Sequence, residues 1–370
     1  MTSLPSPPTL AGLGWGDFFA ANFAPYGEQG LVPGRVMREL RGVYELATGD
    51  PEAPEMTASP AGRLWHGERG EEGMKSPAVG DWVAVRPPTS LTEPGLIRAI
   101  LPRRSKFSRK VAGSRTDEQV IAANVDTVFL MTGLDGDFNP RRIERYLAAG
   151  WESGAAPVLV LSKADMAQSE EDLAERVRQV EEIALGVPVH ALSSRTGLGI
   201  EVLTSYLRPG RTVSVLGSSG VGKSTLINHL LGREEQKTGG VREGDDRGRH
   251  TTTHRALFLT PFGALLLDTP GMRELQLWEA DEGMLATFAD IEELAGECRF
   301  NDCAHDGTPG CAVATAMAEG SLDPARLESY RKLQLELRHL RVKQDEVSRL
   351  REKQRIKALS KSASRFRPRG

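Results

Sequence analysis

Eight consecutive residues, Gly217-Ser218-Ser219-Gly220-Val221-Gly222-Lys223-Ser224, restrict the possible folds of this chain more than any other feature. They satisfy GxxxxGK[ST], and they stand between a strand-like run, TVSVL, and a helix-like run that opens at Thr225, TLINHLL. In that setting the pattern is a phosphate loop: glycines let the backbone curl until successive N–H groups and a helix N-terminus face one phosphate. Lys223 then meets the β- and γ-phosphates, and the Ser224 hydroxyl ligates Mg2+. Such a loop is built at the end of a parallel strand, and the neighbouring sequence agrees. From 124 to 278 apolar runs (VDTVFLMT, APVLVLS, VPVHALS, RALFLT, GALLLDT) alternate with helical stretches (NPRRIERYLAAGWE, SEEDLAERVRQVEEIALG). That alternation predicts an α/β domain whose sheet is covered on both faces.

Polar residues fall at the ends of these strands. Asp268 closes LLLD and begins Asp268-Thr269-Pro270-Gly271, which places a carboxylate to hold Mg2+ through water and the Gly271 N–H to meet a γ-phosphate. Between the phosphate loop and this turn lies GRHTTT, where Thr251, Thr252 and Thr253 are equal candidates for a hydroxyl that closes on the metal. Ser162-Lys163-Ala164-Asp165 follows APVLVL. Guanine presents N1–H and an exocyclic amine that one carboxylate accepts together, and adenine has no such pair. Asp165 therefore predicts guanine preference, with the Lys163 stem covering the base face. Ser193, Ser194 and Arg195 follow VPVHAL and form a second loop near the base. The base-reading loops come before the phosphate loop, the reverse of ordinary GTPases. Cyclic permutation preserves the pocket when the original termini were close.

The 370 residues leave room for two to three domains. Residues 1–30, rich in Pro, Gly and Ala, are expected to be flexible. From 31 to 104 five short strand-like runs (GRVMREL, GVYELATG, GRLWHG, GDWVAVRP, GLIRAILPR) predict a small OB-type β-barrel. A linker at 105–123 leads to the permuted domain at 124–278. In the next segment, 279–325, Cys298, Cys303, His305 and Cys311 are spaced C-x4-C-x-H-x5-C and include all three cysteines of the chain. Three thiolates and one imidazole complete a tetrahedral Zn2+ with no open position, which predicts one structural zinc. So few and so local cysteines make no disulfide framework. With no signal-peptide pattern and no apolar run long enough to span a membrane, a cytoplasmic protein is expected.

The last segment, 326–370, holds fifteen Lys and Arg against five Asp and Glu, a balance of +10 beside −13 for the remainder. Leu327, Tyr330, Leu333, Leu337, Leu340, Val347 and Leu350 give it one apolar helical face. The charge predicts a polyanionic partner such as rRNA, and a partner helix on the apolar face stays open as the alternative.

In combination these motifs resemble the circularly permuted GTPases of bacterial ribosome assembly, those dependent on the small ribosomal subunit, over roughly residues 31 to 335. The resemblance implies an N-terminal OB-fold, a permuted GTPase domain and a C-terminal zinc domain. It implies hydrolysis of GTP to GDP and phosphate on the small subunit, with the nucleotide state controlling association and release during maturation. It also implies a catalytic role for His250. Met272 stands after Gly271 where ordinary GTPases often carry Gln, and a thioether cannot orient water; His250 resembles the family's substitute. One position departs from the family: its base-reading tetrad begins with Asn, and here the residue is Ser162. Nothing demands an oligomer, so a monomer is expected. Two other readings stay open on sequence alone, a P-loop ATPase or kinase of another class and an rRNA-binding scaffold with a structural nucleotide.

Overall fold

The computed structural model describes residues 8–40, 42–61, 76–90, 93–110, 118–136, 138–234, 255–268, 281–300 and 303–338. The chain divides into two compact units, Met1–Ser108 with Val120–Leu275, and Arg109–Gln119 with Gln276–Gly370.

In the first unit five strands, β1 (Val32–Leu40), β2 (Val43–Ala47), β3 (Glu55–Pro60), β4 (Trp82–Arg86) and β5 (Gly95–Ile100), pair in the order β1-β2-β3-β5-β4. Strand β4 returns to β1, so the sheet closes on itself. Only β3 and β5 run parallel, which gives the OB-type barrel its topology. Val36, Tyr44, Leu46, Ala58, Val83, Val85 and Ile97 fill the interior. The expected strand GRLWHG lies outside the described residues; among those described, Glu55–Pro60 is the third strand of the barrel. The run EMTASP alternates Met56, Ala58 and Pro60 with polar residues, but only the small Ala58 is fully buried and none of the six is aromatic, so its strand signal is weak.

Residues 1–30 are not flexible throughout, as composition suggested. Helix α1 (Asp17–Gly27) follows a turn in which Leu13 is buried. Trp15 meets Trp82 edge-on with ring centroids 4.7 Å apart, and Phe19 is buried beside them. Aromatic burial against the barrel offsets the entropy of ordering a Gly- and Pro-rich segment. Within 105–123, read as linker, strands β6 (Lys106–Lys110) and β7 (Glu118–Ala123) form a two-stranded sheet.

The second sheet of this unit is built from β8 (Thr127–Gly133), β9 (Ala156–Ser162), β10 (Val189–Ala191), β11 (Thr212–Gly217), β12 (Ala256–Leu259) and β13 (Leu265–Asp268), in the order β10-β9-β8-β11-β13-β12. All pairs are parallel except β12 with β13. Strands β8, β9 and β11 are buried along nearly their whole length, hence their continuous apolar runs. Helix α2 (Pro140–Glu152) starts where Asn139 Oδ1 accepts the Arg141 and Arg142 N–H groups, with Pro140 at the first helical position. Helix α3 (Glu170–Ile183) is capped by Ser169 and carries Glu170, Glu171 and Asp172 in its first turn. Helix α4 (Lys223–Leu231) buries Leu226, Ile227, Leu230 and Leu231 against the sheet.

Barrel and sheet are continuous, because Arg38 of β1 lies opposite Ala256 of β12. Arg35 of β1, 1% exposed, crosses the junction: it donates to Leu13 O at 3.2 Å, to Asn124 O at 3.1 Å and to Thr212 Oγ1 at 3.1 Å. Burial lowers its pKa to about 10, so the guanidinium stays charged at neutral pH.

The second unit contains α5 (Asp281–Thr287), α6 (Ala289–Gly296), α7 (Ala312–Glu319) and a helix at 324–338. On the last, Leu327, Tyr330, Leu333 and Leu337 are buried. Arg326 forms a two-pronged pair with Asp290, both bonds at 2.8 Å, and Tyr330 donates to Glu292 at 2.7 Å. The first half of the predicted apolar face thus packs within the unit; Leu340, Val347 and Leu350 lie outside the described residues. No described helix is long and apolar enough to cross a membrane.

Candidate nucleotide site and metal cluster

The carboxyl ends of β8, β9 and β11 come out on one side of the sheet, with Gly133 opposite Ser162 and Gly217 opposite Met131. That is where open α/β sheets hold ligands. Gly217 needs the absence of a side chain, since a Cβ there would lie 2.5 Å from Met131 O. Gly220 (φ 76°) and Gly222 (φ 101°) hold left-handed backbone that turns the loop into α4. No side chain caps that helix, so the first N–H groups at Lys223, Ser224 and Thr225 stand at a positive helix end suited to phosphate. Lys223 Nζ donates to Gly217 O at 2.9 Å and to Ser218 O, which sets the ammonium within the concavity of the loop. Val221 is buried and anchors it, while Ser219 and Gly220 are exposed.

Ser162 is 1% exposed, and its hydroxyl lies 2.7 Å from Val221 O and 3.2 Å from Thr132 O. Strand β9 is thereby tied to the glycine-rich loop before α4 across 59 residues of sequence. Lys163 has left-handed backbone (φ 61°) and pairs through Nζ with Asp135. Asp165 accepts from Ser193 Oγ at 2.5 Å and from Arg195 Nε at 2.9 Å. The Ser193 hydroxyl, with the Arg195 guanidinium, holds the Asp165 carboxyl below the usual carboxylate range. It therefore stays an ionised acceptor at neutral pH, as a reader of two guanine donors requires. Ser193 and Ser194 are buried, and Ser194 O accepts from His229 Nε2 of α4 at 2.6 Å.

The two base loops and the phosphate loop are thus brought together. Asp268 ends β13, beside β11. His250, Thr251, Thr252, Thr253, Gly271 and Met272 lie outside the described residues. Three participants escaped the sequence reading: Asp135, His229 and the Val221 carbonyl. Asp135 had a signal, an acid just past the end of a buried strand; His229 had none, since its partner is a backbone carbonyl 35 residues away.

In the second unit the ligand atoms of Cys298, Cys303, His305 and Cys311 lie within 4.8 Å of one another, a cluster able to hold a metal ion. Cys298 Sγ and Cys311 Sγ are 3.6 and 3.7 Å from His305 Nδ1, and 3.9 Å apart. His305 has left-handed backbone (φ 56°), and Arg331 donates to the carbonyls of Ala304 and His305 at 3.0 and 2.8 Å.

The RsgA GTPase family model matches residues 100–278. An ABC transporter model matches residues 200–361, a span that holds the phosphate loop but neither base-reading loop. The small ribosomal subunit biogenesis GTPase RsgA of Opitutus terrae is 48% identical over 359 residues, 95% of this chain and 96% of that protein. The protein of the same name from Syntrophotalea carbinolica is 42% identical, over 96% and 97%. Among solved structures, YjeQ from Thermotoga maritima superposes with a TM-score of 0.60 at 28% identity, covering 83% of this chain and 98% of its own. YloQ, described as a circularly permuted GTPase, superposes with a TM-score of 0.59 at 21% identity, covering 84% and 96%, a likeness of fold. Base loops before the phosphate loop on one sheet, a closed five-stranded barrel ahead of them, a cysteine–histidine cluster behind, and full-length identity above 40% have one common explanation: the chain belongs to the RsgA GTPase family.

Proposed function

We propose that this protein hydrolyses GTP to GDP and phosphate and acts in biogenesis of the small ribosomal subunit, its nucleotide state controlling association and release. The observation that carries the reading is the bond from Ser162 to Val221 O, which joins a guanine-reading carboxylate strand to a phosphate loop at one end of one sheet. The relatives' names supply the subunit.

Ser162, Lys163, Asp165, Ser193, Ser194 and Arg195 form the guanine end of the site, and residues 217–225 with Asp268 and Gly271 form the phosphate end. Ser224 and Asp268, with one of Thr251, Thr252 or Thr253, would hold Mg2+, which when bound would neutralise charge on the phosphoryl oxygens. Lys223 stabilises the same oxygens, and His250 orients the attacking water. Cys298, Cys303, His305 and Cys311 hold one structural Zn2+. A tetrahedral site with Zn–S bonds of about 2.3 Å has edges of about 3.8 Å, and the separations of 3.6 to 3.9 Å among Cys298, His305 and Cys311 support that size, with Cys303 within 4.8 Å of each. The functional divisions are the barrel at 31–104, the GTPase domain at 124–278, the metal-binding segment at 279–325 and the basic helix and tail at 326–370. The tail contacts rRNA phosphates, and the protein works as a cytoplasmic monomer.

GTP turnover measured with separated small subunits, large subunits and free RNA tests the reading: small subunits alone should stimulate, and equal rates in all mixtures would defeat it. In the same assay His250→Ala should keep GTP affinity within a few-fold and lose about 10²–10⁴ of the stimulated rate.

A further inference from the structure

The nucleotide groups gather at the carboxyl ends of the parallel strands. The opposite ends of β8, β9 and β11 frame a separate cleft of about 510 Å3, lined by Arg104, Asp126, Ala156, Tyr206, Arg208 and Arg211 among others. Three arginines and one carboxylate line it. Asp126 Oδ1 accepts from Arg104 Nη2 at 3.2 Å and from Arg211 Nη1 at 3.0 Å, while its Oδ2 accepts the Thr212 N–H at 2.9 Å. Arg208 Nε donates to Ser205 O at 3.0 Å, within its own turn. Asp126, tied to the first residue of β11, therefore fixes two guanidiniums through one N–H each. The lining keeps a net charge of +2, inside a body that carries −13 outside the C-terminal segment. A guanidinium has five N–H donors in a planar fork matched to phosphate oxygens.

Exposure separates the possible ligands. Arg104 and Arg211 side chains are 40% and 58% exposed, whereas Asp126 is 13% exposed. Sites for small molecules bury most of their ligand, and heads this open grip one face only. A phosphodiester in a polymer asks for no more than that, because the rest of the strand stays outside.

We propose that this cleft is a phosphate-binding site for an RNA backbone, so that RNA and GTP are held at opposite ends of the same strands. The proposal rests on the small-subunit reading only for the source of the RNA. Arg208→Gln, Arg211→Gln and the double variant test it in the full chain, with GTP affinity and thermal midpoint as folding controls. Arg208 is the cleaner probe, since its described bond lies within its own turn. The probes are small ribosomal subunits and an RNA hairpin of about 20 nucleotides and unrelated sequence, because phosphate contacts are sequence-independent. Each substitution should make the slope of log K against log [salt] shallower by about 1 with either probe, and GTP affinity should stay within about twofold.

Parallel salt plots for the double variant and the parent, with both probes, would overturn the site even if small subunits still stimulated turnover. A shallower slope with the hairpin but no small-subunit binding by the parent would keep the site and remove the small-subunit reading. Binding of inorganic phosphate that depends on Arg208 and Arg211, without any change in RNA binding, would assign the cleft to a small anion and overturn the RNA ligand.

Discussion

A serine at 162 changes how the two halves of the nucleotide pocket are joined. Its hydroxyl has one proton and two carbonyl neighbours, Val221 O at 2.7 Å and Thr132 O at 3.2 Å, so it donates to one at a time and the shorter contact prevails. The carboxamide that the family carries here has two N–H donors and an acceptor. Ser162 thus works as a tie between loops, and on the proposed function base reading falls to Asp165. Ser162→Ala should leave a buried carbonyl without its partner, a cost of about 1–3 kcal/mol. We expect guanine nucleotide to bind about tenfold more weakly in that variant, read by displacement of a fluorescent GDP analogue. Asp165→Asn exchanges an acceptor for a donor, so GTP affinity should fall by about 10² or more while xanthosine triphosphate gains. Competition between the two nucleotides checks it, and an unchanged GTP preference would assign base reading to another group.

Among elements, those with one strong physical cause were legible in advance. Strands β8, β9 and β11 are apolar throughout because they are buried on both faces, and α2 and α3 carry their caps in the sequence. The metal loop was legible because a thiolate–imidazole shell imposes its own spacing. What escaped depends on distant partners. Helix α1 is held by Trp15 and Phe19 meeting Trp82, far along the chain, and β3 is set by pairing with β2 and β5 rather than by its own residues. The Asp165 bonds to Ser193 and Arg195 likewise join loops 28 and 30 residues apart, so the motif was visible and its support was not. The metal cluster yields a test at this scale. Cys303→Ser should abolish stoichiometric zinc and loosen the segment around Ala304 and His305 that Arg331 holds, while GTP binding persists. Metal content and amide exchange read the two effects, and full zinc occupancy in the variant would remove Cys303 from the ligand set.

For the molecule as a whole, charge is distributed as sharply as structure, with an acidic body and a basic end. Truncation after Ser348 removes six Arg and three Lys against one acid, Glu352. If three or four of these meet RNA phosphates, the salt dependence of small-subunit binding should flatten by roughly 2–4 units. GTP affinity should be unmoved, and parallel plots would make the tail a solvated surface. The Arg35 junction has a different reach. Its acceptors at Asn124 and Thr212 lie 89 and 177 residues further along the chain. A guanidinium enclosed without acceptors is costly, so the buried setting of Arg35 requires Asn124 and Thr212 as well as Leu13. A fragment that ended after the barrel would therefore leave two of the three Arg35 bonds to water, so the first module carries in its wall a residue that only the second can satisfy.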